Sequence, residues 1–296
     1  MRRITALTGN YAYTGSSSKR LRWVVDHQLE GYSVDDLYMD YINRMARLAL
    51  AETYGSQLAY AQPSAKYRKS DAGAVPEPFP GYSVITPPGP EDPHNESVYS
   101  ELAALQGQLN RQLPGLLGLL PAHSFHLTLA DLIWDDAYRA AAELPDFHSK
   151  LQQAIAYSLQ DYNHRYARPN EPCLWQILGL VAMPRAIGVG LAPKTEAAYR
   201  QVLDLRRAIY QNRNLMALGI EQQYHLTAHI TLGYFTEQVT ATDPGQIQGV
   251  ITALNDSWQA QSAQMFCVGA VELRQFEDMT AFRREADWPR LSLVKG

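Results

Sequence analysis

The amino-acid sequence predicts a fold of the α/β or α+β class in which a strand, helix, strand unit occurs twice. Three observations carry that reading. Between residues 81 and 273, apolar runs of strand length alternate with stripes of helical spacing. The strings Phe125-His126-Leu127-Thr128-Leu129 and Ala228-His229-Ile230-Thr231-Leu232 repeat one pattern, apolar-His-apolar-Thr-apolar. Each string also stands third in the same order of elements.

Residues 1 to 30 are polar and mixed, and Ser16-Ser17-Ser18-Lys19-Arg20 reads as a loop or weakly ordered arm. Ser33-Val34-Asp35-Asp36 has the form of a helix-capping signal. Leu37, Tyr41, Met45 and Leu48 follow at helical spacing and predict one helix reaching Thr53. The Pro- and Gly-rich tract 72–81 reads as a linker, dividing an amino-terminal helical extension (residues 1–75) from a main domain (residues 76–296). In the first half of that domain, residues 81–86 form a strand stopped by Pro87 and Pro88. Val98, Leu102, Leu105, Leu109 and Leu113 make a helical stripe ended by Pro114 and Gly115, and the first His-Thr string follows as a strand. A helix over 137–162 joins the halves. In the second half, strands over 174–182 and 186–191 precede a helix with Ala198, Val202, Leu205 and Ile209 inward, and then the second string. The apolar run 265–273 suits one buried closing strand.

With 46% apolar and 10% aromatic residues in 296, the chain has material for a sizeable core. A net charge of -4 and a pI near 6.1 give no basic surplus for long nucleic acid, whereas a small anion needs only a complementary local site. Cys173 and Cys267 cannot build a disulfide framework or a cysteine metal motif, so a reducing cytoplasm is expected. Arg2 and Arg3 are followed by no signal-peptide apolar run, and the densest apolar run, 116–120, is too short to cross a bilayer. The expectation is a soluble protein with no membrane partner.

Successive side chains of a strand face opposite ways, so each string places its His and Thr on one face and its apolar residues on the other. Two histidines facing one phosphodiester can divide its hydrolysis. One neutral imidazole takes a proton from water, and the other, as imidazolium, gives one to the leaving oxygen. The threonine hydroxyls would hold the nonbridging oxygens as charge grows on them. This chemistry calls for no metal and no cofactor. A single His-x-Thr is also what an ordinary strand offers, because threonine favours strands; duplication in matching contexts is what favours the catalytic reading.

The pair His126-Leu127-Thr128-Leu129 and His229-Ile230-Thr231-Leu232-Gly233-Tyr234 resembles the signature of the 2H phosphoesterase superfamily. That group includes bacterial RNA 2′,3′-cyclic phosphodiesterases related to 2′-5′ RNA ligases, plant and fungal cyclic nucleotide phosphodiesterases, and phage enzymes that cleave cyclic oligonucleotide messengers. The resemblance covers residues 80–285. It implies an α+β, bilobed fold with two antiparallel-rich sheets and flanking helices around a central cleft, the two pairs facing each other. It implies His126 and His229 as acid and base, in an order left open, and Thr128 and Thr231 as phosphate ligands. The motif spacing is long for the smaller members, through an insertion over 134–169, and the first 75 residues have no counterpart in the minimal enzymes.

His225-Leu226-Thr227 is a third His-x-Thr. Were it on the same strand, His225, Thr227, His229 and Thr231 would share one face; His229 is the preferred catalytic residue because Leu-Gly-Tyr follows it. His225 and Thr227 become candidate substrate contacts. So do Tyr234 and Trp134, placed to stack on a base at the cleft rim. A helical zinc pair at His225 and His229 lacks the glutamate and an obvious third ligand. Residues 188–195 approach a P-loop, but Pro193 stands where the final glycine should, so a strand running into a helix is the better reading. The leading function is a metal-independent phosphodiesterase acting on a nucleotide or short oligonucleotide, first of all a 2′,3′-cyclic phosphate. RNA end processing and cyclic-messenger cleavage stand behind it. Outside enzymes, the alternatives are a nucleotide-sensing module without turnover and an interaction scaffold built on the amino-terminal helix.

Overall fold

The structure, a computed structural model, describes residues 35–71, 73–166, 172–237, 243–260 and 264–294. The expectations placed on residues 1–34 lie outside these. In chain order the elements are α1 (Tyr38–Leu48), α2 (Ala51–Leu58), β1 (Tyr67–Ser70), β2 (Gly73–Pro76), β3 (Gly81–Ile85), α3 (Glu96–Gln112), β4 (Leu117–Leu119) and β5 (Thr128–Trp134). Then come α4 (Asp135–Ala142), α5 (Phe147–Arg165), β6 (Leu174–Met183), β7 (Ala186–Pro193), α6 (Glu196–Tyr210), α7 (Arg213–Ala217) and β8 (His229–Phe235). The chain closes with α8 (Pro244–Gln259), β9 (Met265–Cys267), β10 (Ala270–Phe276) and β11 (Arg290–Ser292).

The fold is α+β. One sheet runs β11-β10-β3-β5 and the other β4-β8-β7-β6-β9, with every neighbouring pair antiparallel. Each sheet carries one of the two strings. The central strands β3, β7 and β10 are buried along their whole length, as covered interior strands should be. β1 and β2 form a separate two-stranded ribbon. Helices α1 and α2 pack on β7 and β6: the buried Tyr41 hydroxyl donates to the Leu191 carbonyl at 2.8 Å, and that of Tyr54 to the Leu180 carbonyl at 2.7 Å. Among the described residues, no helix is long and apolar enough to cross a membrane.

Several elements depart from the expected pattern. The amino-terminal helix is broken at Leu50, which takes an extended conformation, so that α1 can follow β7 while α2 packs on α8 and β6. The N-cap of α1 is Leu37, which makes no side-chain cap hydrogen bond, and Ser33 of the expected capping signal lies outside the described residues. The joining helix is two helices, because Pro145 lacks an N–H and Asp146 adopts a left-handed φ of 62°. The closing run also divides. β9 pairs with β6 in the five-stranded sheet, whereas β10 crosses to pair with β3 in the other. The near P-loop is the end of β7 and the start of α6, with the Thr195 hydroxyl accepting the Ala198 N–H at 3.1 Å as a helix cap.

Candidate active site

In both strings burial alternates. Phe125, Leu127, Leu129, Ala228, Ile230 and Leu232 are all at most 1% exposed, whereas His126, Thr128, His229 and Thr231 are partly open. His126 lies just before β5 rather than within it. Its segment is drawn to β3 by Thr86, whose N–H donates to the Leu127 carbonyl and whose hydroxyl accepts the Leu127 N–H, each at 3.0 Å. His229 opens β8 opposite Gly190, and Thr231 lies opposite Gly188. A Cβ at Gly188 would stand 2.5 Å from the Ile230 carbonyl oxygen, so glycine is what lets β7 approach the second string so closely.

The two imidazoles are held in the same way. The His126 Nδ1–H donates to the Ser124 carbonyl at 2.7 Å, and the His229 Nδ1–H donates to the Thr227 carbonyl at 2.7 Å. A carbonyl oxygen can only accept, so Nδ1 carries the proton in the neutral ring and Nε2 is left with its lone pair. Each ring is bound two residues back along its own chain. The edge of His126 also packs against Phe282, with centroids 4.2 Å apart, and the Phe282 carbonyl accepts from buried Arg274 at 3.0 Å.

Burial lowers the affinity of both rings for a second proton. His126 is pushed down to about 4 by burial, countered by the Ser124 carbonyl, with the positive charges of His229, Lys66 and Arg274 adding to the fall. His229 is lowered by burial too, but the Thr227 carbonyl and the Asp131 carboxylate support its charged form while Lys66 opposes it. Lys66 therefore acts on both histidines. Its ammonium sits 4.8 Å from the Tyr234 ring centroid and donates to the Tyr234 hydroxyl at 3.2 Å.

A cavity of about 690 Å³ adjoins this centre, a size suited to a small ligand. Of the residues singled out from sequence, Thr128, Trp134, His225, Thr227 and His229 lie on its wall, so one cavity collects groups from both strings. His126, Thr231 and Tyr234 are not on that wall. His126 is tied to the centre by the field of His229, and Tyr234 by Lys66. The four-residue ladder expected at 225–231 does not form, because β8 begins only at His229. The largely exposed His225 places Nδ1 3.6 Å from an Asp36 carboxylate oxygen. The Thr227 hydroxyl accepts from Arg44 at 2.9 Å. Trp134 lies nearly parallel to Tyr224, the interplanar angle being 25°.

Sequence reasoning missed Lys66, Arg44, Asp131 and Arg206. Asp131 is the instructive case. Two shifts in the pairing of β3 with β5 reset the alternation, so Thr128, Asp131 and Trp134, three residues apart, all reach the cavity. No period-two reading places an aspartate at that spacing beside the threonine. Lys66 and Arg44 come from segments with no motif. Among the described residues, no three His, Cys, Asp or Glu side chains gather as a metal site.

No protein-family model and no curated protein matches this chain. Solved structures similar to it include a conserved protein of unknown function from Agrobacterium tumefaciens, at 16% identity and a TM-score of 0.48, over 74% of this chain and 89% of that one. A crystal structure of a phosphoesterase is similar at 15% identity and a TM-score of 0.37, over 74% of this chain and 100% of the other. E. coli LigT complexed with 3′-AMP is similar at 14% identity and a TM-score of 0.41, with the same coverage of 74% and 100%.

Proposed function

We propose that this protein is a phosphodiesterase that hydrolyses a cyclic or internal phosphodiester of a nucleotide or short oligonucleotide, with a 2′,3′-cyclic phosphate as the leading substrate. The observation that carries the reading is the matched pair of imidazoles, each pinned at Nδ1 by the carbonyl two residues before it and each followed two residues later by a partly open threonine. In this reading the Nε2 atom of neutral His126 takes a proton from water as the water oxygen attacks phosphorus. The bond from phosphorus to the ribose oxygen breaks, and His229 Nε2–H gives that oxygen its proton. Thr128 and Thr231 bind the nonbridging oxygens, and the Lys66 ammonium stabilises the charge that gathers there. Asp131 supports this order of roles, because its carboxylate favours the imidazolium at His229, whereas the charged groups acting on His126 are all positive. The side chains of Trp134 and Tyr224 supply aromatic surface for a base.

The assignment has a pH signature. The productive form needs His126 neutral and His229 protonated. Activity should therefore fall on the acid side near pH 4, as His126 takes a proton, and on the alkaline side below the ordinary histidine value of about 6.5, as His229 loses one. The kcat/KM profile is expected to be a bell with its maximum below pH 6.5. Asp131→Asn removes the group that supports the imidazolium, so its alkaline limb should move to still lower pH. A maximum above pH 7.5, or a limb that Asp131→Asn leaves in place, overturns the assignment.

Protein treated with EDTA should hydrolyse a nucleoside 2′,3′-cyclic phosphate, and a panel of cyclic dinucleotides tests the messenger alternative. Retained turnover supports two-histidine chemistry, and turnover restored only by added divalent metal removes it. Nucleotide that raises the unfolding temperature without being turned over anywhere in the panel establishes the sensing module instead.

A further inference from the structure

The acidic pair at 35–36 and helix α1 do something other than begin a fold. Arg44, on α1, donates from Nε to an Asp36 carboxylate oxygen at 2.8 Å. The same guanidinium donates from Nη2 to the Leu226 carbonyl at 2.6 Å and from Nη1 to the Thr227 hydroxyl at 2.9 Å. Asp35 completes the hold, accepting the Leu226 N–H at 2.8 Å. Residues 226 and 227 belong to no helix or strand; beyond them the Ala228 N–H, on the same peptide as the Thr227 carbonyl, donates to the Tyr41 hydroxyl of α1 at 3.2 Å, and the Ala228 carbonyl accepts the Leu191 N–H at 2.9 Å. The Thr227 carbonyl is the acceptor for His229 Nδ1–H. A planar guanidinium with several donors in fixed geometry is suited to locking such a segment, and a lysine cannot reproduce the fork.

We infer that Arg44, oriented by Asp36, is a positioning residue for His229: it holds the 226–227 backbone so that the Thr227 carbonyl fixes the imidazole with Nε2 toward the cavity. The inference gives the amino-terminal segment a role at the reaction centre. Its consequence for turnover rests on the phosphodiesterase reading, but its consequence for the imidazole does not. His126 serves as an internal control, since its acceptor is the Ser124 carbonyl, 102 residues away in sequence from Leu226.

The test is nitrogen-15 NMR of the histidine rings in the full chain, at a pH where both are neutral, for wild type, Arg44→Ala, Arg44→Lys and Asp36→Asn. In wild type, both His126 and His229 should be the Nδ1–H tautomer. In Arg44→Ala and Arg44→Lys, His229 should shift to a mixture with the Nε2–H form, while His126 keeps its signature; Asp36→Asn should give a smaller shift of the same kind. Kinetics on a 2′,3′-cyclic nucleotide should show kcat lowered roughly 10- to 100-fold with KM changed little, the pattern of a misaligned group. His229 remaining wholly Nδ1–H in folded Arg44→Ala overturns the inference, and if that variant does not fold, the same result in Arg44→Lys or Asp36→Asn does so. A tautomer shift in a protein without turnover on any substrate keeps the positioning role and removes the phosphodiesterase reading instead.

Discussion

Alanine at His126 or at His229 is expected to lower kcat/KM on a 2′,3′-cyclic nucleotide by roughly 10²- to 10⁴-fold, the range of a positioned proton-transfer group. The two should not add. In the proposed mechanism acid and base act in one step, so once either is gone the second adds little, and the double variant should resemble the worse single one. His225→Ala is the comparison that gives the test its edge. Its ring is largely exposed and faces Asp36, so its loss should leave kcat within a few-fold of wild type. Steady-state kinetics on the three single variants and the double variant decides the matter. Activity lost in His225→Ala and kept in His229→Ala would mean that the second motif is read in the wrong register.

Arg206→Ala should produce the largest loss of stability. Arg206 stands on α6 with only 6% of its side chain exposed, next to an Asp35 carboxylate that is 2% exposed. Its guanidinium donates to the Leu129 carbonyl at 2.7 Å and to the Tyr224 carbonyl at 2.9 Å. One residue thus joins β5, beside Thr128, to the loop that leads into His229. Removing it leaves a buried carboxylate with less compensation, a change that costs about 3–5 kcal/mol in comparable pairs. For a domain of this size that is a fall of roughly 10 °C in Tm. Pairing Arg206→Met with Asp35→Asn should recover part of the loss, because the charge that demanded the arginine is then gone. Thermal unfolding of the wild type, Arg206→Ala and the paired variant measures this directly, and a Tm for Arg206→Ala within 2 °C of wild type refutes it.

Much of the fold is legible along the chain because strand and helix periodicity are local properties. β3, α3, β6, β7, α6 and β8 fall where their apolar spacing puts them. The alternation in the two strings is legible for the same reason, and it separates the partly open His and Thr side chains from buried neighbours. What was not legible depends on partners distant in sequence. The run 265–273 reads as one strand because nothing within it marks where the chain leaves one sheet for the other; that point is set by β6 on one side and β3 on the other. Likewise, Asp35 and Asp36 read as the acidic end of a capping signal when taken against their own helix. Their hydrogen bonds instead go to Leu226 and Arg44, and no local rule anticipates a carboxylate paired with a backbone N–H 191 positions away.

By itself the sequence determined the class of fold, the two strings, and the pairing of an imidazole with a hydroxyl two residues on, since these follow from period-two geometry and side-chain chemistry. Only the tertiary structure decided that each ring is bound at Nδ1 by a carbonyl, that Lys66 acts on both rings and Asp131 on one, and that α1 holds the loop before His229. The physical reason is range. Backbone periodicity is written within a few neighbouring residues, whereas the field and the hydrogen bonds at a buried ring come from whichever segments the packed sheets bring within a few ångströms.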